Sequence, residues 1–87
     1  MSADTFQLKV ITPEGVALDE RVLSATVPTS EGEIGVLTLH TRYCGLVGNG
    51  KLSYAKVGGL SDSLVVHEGF CHFIEDSLTI LADSVER

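Results

Sequence analysis

Apolar and polar residues alternate with a period of two through most of this 87-residue chain. Successive side chains on a β-strand point to opposite faces, so a period of two predicts strands with one buried face and one wet face. No stretch shows the 3.6-residue period of a helix convincingly. The alternating apolar residues are Phe6, Leu8 and Val10; Leu23, Ala25 and Val27; Leu52 and Tyr54; and Phe73 followed by Leu78, Ile80 and Ala82.

Turn-forming residues separate these runs at the spacing that a β-sandwich or barrel requires. The strongest signal is Gly48-Asn49-Gly50, since Asn-Gly favours a type I′ hairpin turn. Further turns are predicted at residues 12–15, 58–59 and 75–77, and Pro28 is expected to end a strand because it cannot donate a ladder hydrogen bond. We therefore predict one all-β domain over residues 1–87, with about eight to ten short strands in two packed sheets or a flattened barrel.

Composition excludes several classes of function. The chain is 44% hydrophobic, which is too apolar for a disordered segment. Its net charge of −6 and scattered basic residues argue against binding to nucleic acid phosphates or anionic lipid. No apolar run approaches the ~20 residues that span a bilayer, and the first residues lack the pattern of a signal peptide. We expect a cytoplasmic location in which both cysteines remain thiols.

The sequence contains no persuasive catalytic site. Neither spacing of a glycine-rich phosphate loop is present. His67, Glu68 and Cys71 supply the residue types of a nucleophilic triad. However, Cys44 and Cys71 both lie in apolar runs, where a thiol behaves as a small hydrophobic group. We predict no catalytic residue and no cofactor.

A zinc site is one alternative. His40 with Cys44 and His67 with Cys71 share the spacing HxxxC, and four such ligands would suit tetrahedral zinc. Residues four apart on a strand lie roughly 13 Å apart, so only a tight loop or cross-strand pairs could bring the ligands together. A second alternative is a ligand-binding sandwich with exposed aromatic side chains. We expect the three phenylalanines in the core instead: Phe6, Phe70 and Phe73.

Residues 29–35 form a polar, acidic stretch between two apolar runs, with Glu31 and Glu33 on either side of Gly32. Loops held by a rigid scaffold are a common place for binding residues. We interpret this stretch as a charged docking loop.

Residues 31–37, EGEIGVL, followed by His40, resemble the E-G-E-[IL]-G-[IV]-L-x-x-H segment of the epsilon subunits of F-type ATP synthases. The resemblance extends along essentially the whole chain without a gap. The other segments that carry it, in order, are residues 10–15 (VITPEG), 22–28 (VLSATVP), 69–70 (GF) and 78–83 (LTILAD), then Glu86 and Arg87.

The resemblance implies a flattened ten-stranded β-sandwich in a non-catalytic subunit of the central stalk. Such a subunit joins the gamma subunit to the c-ring and couples proton or sodium translocation to ATP synthesis. It lies at the cytoplasmic face of the membrane, peripherally and without insertion. The residues that match the c-ring interface are Glu31, Gly32 and Glu33, and those expected to contact gamma are Leu37, Leu39, His40 and Arg42.

The chain departs from the family pattern in three ways. Thr38 and Arg42 stand where the family has prolines, so the contact with gamma is expected to differ in detail. Glu68 replaces a glycine, which implies a differently built turn because glutamate adopts positive φ at a cost. The helical hairpin that follows the sandwich in the family, and that inhibits hydrolysis, has no counterpart in the 87 residues. We expect a subunit without that inhibitory element.

Overall fold

The computed structural model describes residues 5–29, 32–36, 43–74 and 76–86, with the backbone alone for residues 33–36 and 43. These residues form only strands and turns, which confirms the all-β prediction. No helix within the described ranges is long and apolar enough to cross a membrane. The seven strands are β1 (Phe6–Thr12), β2 (Gly15–Thr29), β3 (Gly32–Val36), β4 (Tyr43–Val47), β5 (Gly50–Lys56), β6 (Ser61–Ile74) and β7 (Ser77–Glu86).

The strands close on themselves into a ring. β1 lies between β2 and β7, β7 pairs with β6, β6 pairs with β5, and β5 returns to β2. The β1–β7 pairing is parallel and the other four are antiparallel. Closure leaves few open backbone edges, and among the described strands only β3 has a single strand partner, β2.

β4 and β5 do not form the hairpin that Gly48-Asn49-Gly50 predicted. Instead both strands pair with β6 in one continuous register, in which Val47 faces Gly69 and Gly50 faces Val66. Along β6 the two strands therefore act as one long strand that is interrupted at residues 48–49. The hairpin predicted from Asn49-Gly50 was wrong because β4 and β5 run in the same direction along β6, so the chain does not reverse between them.

The interruption marks a bend in β6. Glu68, opposite the break, has a φ of 29°, and its N–H donates to Oδ1 of Asn49 at 3.2 Å. The buried face of the strand changes at this point, since Val66 and Cys71 are both buried although an odd number of positions separates them. Glu68 thus adopts a positive φ, a conformation that costs glycine least.

β2 bends in the same way. Val22 and Ala25 are both buried an odd number of positions apart, and the β2–β5 register shifts between Val22 and Ser24. The predicted burial of Leu23 was therefore wrong, because Val22 takes the inward place. The prediction of ten strands in two packed sheets is not confirmed either. The described residues form seven strands in one continuous sheet, because the long strands bend from one layer of the β-sandwich to the other without ending.

Two tight turns follow the prediction. Thr12 and Gly15 close the β1–β2 hairpin, with Gly15 at a φ of 127°. Gly58 and Gly59, both at positive φ, connect β5 to β6. Pro28 is the penultimate residue of β2, next to the predicted end of the strand, and its carbonyl accepts a hydrogen bond from Gly48 N–H at 3.0 Å.

The core fills the interior of the ring. Phe6 and Phe73 meet edge to face with ring centroids 5.4 Å apart, a favourable aromatic geometry. Phe70, which we predicted in the core, instead lies on the outer face and is 41% exposed. The other fully buried large side chains are Leu8, Leu52, Leu78, Ile80, Val10, Val22, Val27, Val66 and Cys71.

Candidate interaction surfaces

The acidic stretch forms part of a hairpin rather than a free loop. Residues 32–36 are strand β3, and the pairing of β2 with β3 closes at Thr29 and Gly32. Gly32 is exposed at a φ of 120°, a conformation that suits glycine. Glu33 pairs with Pro28 through the backbone. Two of the three predicted c-ring residues thus lie at the start of β3, and Glu31 lies outside the described residues.

The residues predicted to contact gamma also lie outside the described residues: Leu37, Leu39, His40 and Arg42. Strand β4 begins at Tyr43, directly after this segment.

The two cysteines of the zinc alternative lie on opposite sides of the sheet. Cys71 is buried in the interior, whereas Cys44 is exposed and faces His72 across β4 and β6. One ion cannot bind thiolates on opposite faces of a sheet with bonds of about 2.3 Å. Among the residues that the structure describes, no group of three or more His, Cys, Asp or Glu side chains is placed to hold a metal.

The residue types of a nucleophilic triad do not converge either. The His67 Nε2 atom contacts Glu86 Oε2 at 2.7 Å, and its Nδ1 atom lies 3.3 Å from Asn49 Oδ1. Cys71 points into the interior, where burial raises the pKa of its thiol despite an opposing hydrogen bond with the Gly45 backbone. A thiol of raised pKa is a poor nucleophile. The His67 contacts tie the end of β7 to the break between β4 and β5.

Sequence reasoning missed an apolar row on the outer face. Leu46 faces Phe70 across β4 and β6, Phe70 faces Leu81 across β6 and β7, Leu81 faces Ile11 across β7 and β1, and Ile11 faces Val16 across β1 and β2. We call these five residues the outer row. The alternation could have indicated an outward position for four of the five, but Val16 alternates in phase with the buried Leu18. Only the register shows that these residues line up.

Comparison with known proteins bears on the identity of this fold. The family model described as "ATP synthase, Delta/Epsilon chain, beta-sandwich domain" matches residues 5–87. The chain belongs to this family. The family match covers the strands of the ring and both predicted interface segments.

Curated relatives of the chain carry the name ATP synthase epsilon chain. The relative from Solibacter usitatus is 43% identical over 84 residues, which are 97% of this chain and 62% of the relative. The relative from Desulfatibacillum aliphaticivorans is 35% identical over 85 residues, which are 98% of this chain and 60% of the relative. The chain therefore spans about three fifths of the length of these epsilon chains.

Solved structures share the delta/epsilon fold. A chain in the cryo-EM structure of the Euglena gracilis mitochondrial ATP synthase, comprising OSCP, F1 and c-ring, matches with a TM-score of 0.86 and 28% identity. The match covers 98% of this chain and 54% of that one. A chain in the Tetrahymena thermophila mitochondrial ATP synthase central stalk and c-ring has a TM-score of 0.72 at 13% identity, a likeness of fold alone.

Proposed function

We propose that this chain is the β-sandwich of a central-stalk rotor subunit of an F-type ATP synthase. In this role it does no chemistry itself. It joins the gamma subunit to the c-ring and couples proton or sodium translocation to ATP synthesis at the cytoplasmic face of the membrane, as a peripheral part of the complex. The observation that carries the proposal is the family match over residues 5–87.

The fold suits a part that transmits torque. A rotor element must resist deformation, and here the strand ring is closed by backbone hydrogen bonds between β1 and both β2 and β7. Closed barrels lack the open edges at which sheets shear or pair with other chains. The likeness to a chain within an F1 and c-ring assembly supports the same role.

We propose that Glu31, Gly32 and Glu33 contact the c-ring. Gly32 and Glu33 begin β3 at its pairing with β2, where a carboxylate can meet basic loops of a c-ring and fix the register of the contact. Residues 37–42, which lead into β4, supply the predicted contact with gamma. The two proposed interfaces therefore follow each other in the sequence: the first includes the start of β3, and the second follows its end.

Reconstitution tests the proposal. The chain is added to ATP synthase vesicles from the same source that lack their epsilon subunit, and ATP-driven ion pumping is measured against ATP hydrolysis. We expect the chain to restore pumping per ATP hydrolysed. Unchanged coupling, with the chain shown to be folded, would contradict the proposal.

A further inference from the structure

Both ring nitrogens of His67 face oxygen atoms. The Nε2 atom lies 2.7 Å from Oε2 of Glu86, and the Nδ1 atom lies 3.3 Å from Oδ1 of Asn49. A neutral imidazole has one N–H donor and one acceptor nitrogen, whereas the imidazolium has two N–H donors. An ionised carboxylate only accepts hydrogen bonds. The contact with Glu86 therefore uses one donor of the ring, and the contact with the Asn49 oxygen requires the other.

The orientation of the Asn49 side-chain amide is set by the backbone of Glu68. The Glu68 N–H donates a hydrogen bond to the same Oδ1 atom at 3.2 Å. Turning the amide over would place its NH₂ group against that N–H, so that two donors would face each other. Asn49 therefore presents an acceptor to His67. The three contacts are satisfied together only when both nitrogens of the His67 ring carry a proton.

The charged groups around the ring are compatible with a positive charge on it. The residue paired with His67 on β7 is Ser84, which carries no charge. The charged residues nearest to His67 in the register of β5, β6 and β7 are Lys51, Glu68, Asp83 and Glu86. Three of these four are carboxylates, and Glu86 forms its ion pair with the ring. The surroundings thus do not oppose an imidazolium at this position.

We propose that His67 is a proton-operated latch that joins the end of β7 to the break between β4 and β5, across the bend in β6. In the protonated ring, one nitrogen holds Glu86 and the other holds Asn49. Loss of a proton leaves an acceptor nitrogen against one of these two oxygens. Asn49 can satisfy that nitrogen only by turning its amide, and it then gives up the hydrogen bond from the Glu68 N–H.

The latch therefore connects protonation of a side chain to the backbone at the bend. Glu68 has a φ of 29°, and its N–H bond to Asn49 is one of the contacts that hold this conformation. Histidine is the side chain whose ordinary charge change falls between pH 5 and 8. The latch is closed on the acid side of this range and open on the alkaline side.

The closed latch adds stability in mildly acidic solution. The protonated ring makes its contacts in the folded domain and not in the unfolded chain, so protonation favours the folded state. The contribution is lost as the pH rises and the ring gives up its proton. The side chains of His67 and Glu86 are 33% and 70% exposed, so water screens the pair and the effect is modest. Every contact lies within the chain, so the inference is independent of the proposed function.

Urea denaturation of the purified chain at about pH 5.5 and pH 8, on either side of the histidine range, tests the latch. His67→Gln keeps a polar side chain that cannot change charge. His72→Gln is the matched control, because His72 is an exposed histidine on the same strand. From pH 5.5 to pH 8, we expect the unfolding equilibrium constant of the unchanged chain to rise about two- to fivefold more than that of His67→Gln. His72→Gln should keep the pH dependence of the unchanged chain.

The amide of Glu68 reports on the latch locally. Its hydrogen-exchange protection factor is measured by NMR at the same two pH values, corrected for intrinsic exchange and compared with the slowest core amides. We expect this protection to fall at pH 8 in the unchanged chain and to stay constant in His67→Gln. Glu86→Gln, which removes the charge on β7, should also reduce the pH dependence.

The outcomes separate a latch from a histidine that titrates alone. Loss of the pH effect in both His67→Gln and Glu86→Gln, with His72→Gln unaltered, supports the inference. Equal pH dependence in the unchanged chain and His67→Gln overturns it. A pH effect that His67→Gln removes but Glu86→Gln leaves intact also overturns it, because the ring would then titrate without holding β7. If His67→Gln does not fold, Glu86→Gln, at an exposed position, decides the question.

Discussion

Gly69 lies so close to Leu81 that a β-carbon added at Gly69 would stand 1.9 Å from the carbonyl oxygen of Leu81. The same carbon would lie 2.8 Å from the Cα atom of Ala82. Both obstacles are backbone atoms of a paired strand, so neither can move aside as a flexible side chain would. The close approach occurs where β6 bends, beside the positive φ of Glu68.

Gly69→Ala should destabilise the domain severely. We expect a loss of about 3 kcal/mol or more in the free energy of unfolding, because the backbones of β6 and β7 must separate. Gly59→Ala is the control: its β-carbon meets open space, and only its φ of 94° opposes the change, at about 1–3 kcal/mol. Urea denaturation measures both. Equal losses of stability for Gly69→Ala and Gly59→Ala would show that the backbones of β6 and β7 are not this close.

Glu68→Gly should stabilise the domain slightly. A non-glycine residue at a sparsely populated φ costs about 1–3 kcal/mol, and glycine adds an entropic cost of about 0.5–1 kcal/mol. The net expectation from thermal or urea unfolding is a gain of between about 0 and 2.5 kcal/mol in the free energy of unfolding, because the N–H bond to Asn49 remains possible. A loss of stability would mean that the Glu68 side chain contributes more than its backbone strain costs.

Phe73 and Phe70 occupy the same strand but opposite faces. Phe73 is buried against Phe6, whereas Phe70 is 41% exposed. We expect Phe73→Ala to cost about 3–5 kcal/mol. The same change at Phe70 should cost no more than about 1–2 kcal/mol, because much of its ring already contacts water. Similar losses in urea denaturation would contradict the register of β6.

Cys71 should make stability fall in alkaline solution. Burial raises the pKa of its thiol, so the native state holds the proton more tightly than the unfolded chain does. The stabilisation is complete below the unfolded pKa of about 8.5 and decreases as pH rises through and beyond it. Denaturation at pH 7 and pH 10 should show a smaller alkaline loss for Cys71→Ala than for Cys44→Ala. Equal losses would exclude Cys71 as the cause.

Glu33→Lys should weaken coupling in the reconstituted complex without unfolding the domain. Its backbone pairs with Pro28 at the β2–β3 hairpin, and reversing its charge would repel basic c-ring loops. The measurement is ATP-driven pumping per ATP hydrolysed, with Asp62→Lys as the control for the charge change. A large fall in melting temperature would instead give Glu33 a structural role.

Much of the fold could be predicted from the alternation of apolar residues. Phe6, Leu8 and Val10 are buried as expected, because an undistorted strand keeps the same set of residues inward. The prediction failed where strands bend. Between Val22 and Ala25 the bend in β2 changes which alternate residues point inward. A fixed period of two therefore assigns Leu23 to the wrong face.

Local turn chemistry predicted connections only where the chain reverses. Thr12 to Gly15 forms the expected hairpin, whereas the stronger Asn49-Gly50 signal lies at a break between two strands that continue in the same direction along β6. The side chain of Asn49 is used to accept a hydrogen bond from Glu68 across that break. Pairing with β6 is a long-range contact, and a dipeptide carries no information about it.

The acidic segment and the outer row likewise differ in whether they could be predicted from the sequence. Gly32 and Glu33 could be selected because they lie in a contiguous acidic motif. The outer row could not, because Leu46, Phe70 and Leu81 come from three strands and become neighbours only through the register. Surfaces assembled across a sheet are visible once the strand order is known.

Titration of the purified chain with the gamma subunit of the same source tests the rotor assignment most directly. We expect saturable one-to-one binding by calorimetry, with a dissociation constant of about 1 μM or tighter, which corresponds to about 8 kcal/mol. The absence of both heat and a complex on gel filtration, for a chain shown to be folded by circular dichroism, would contradict the assignment.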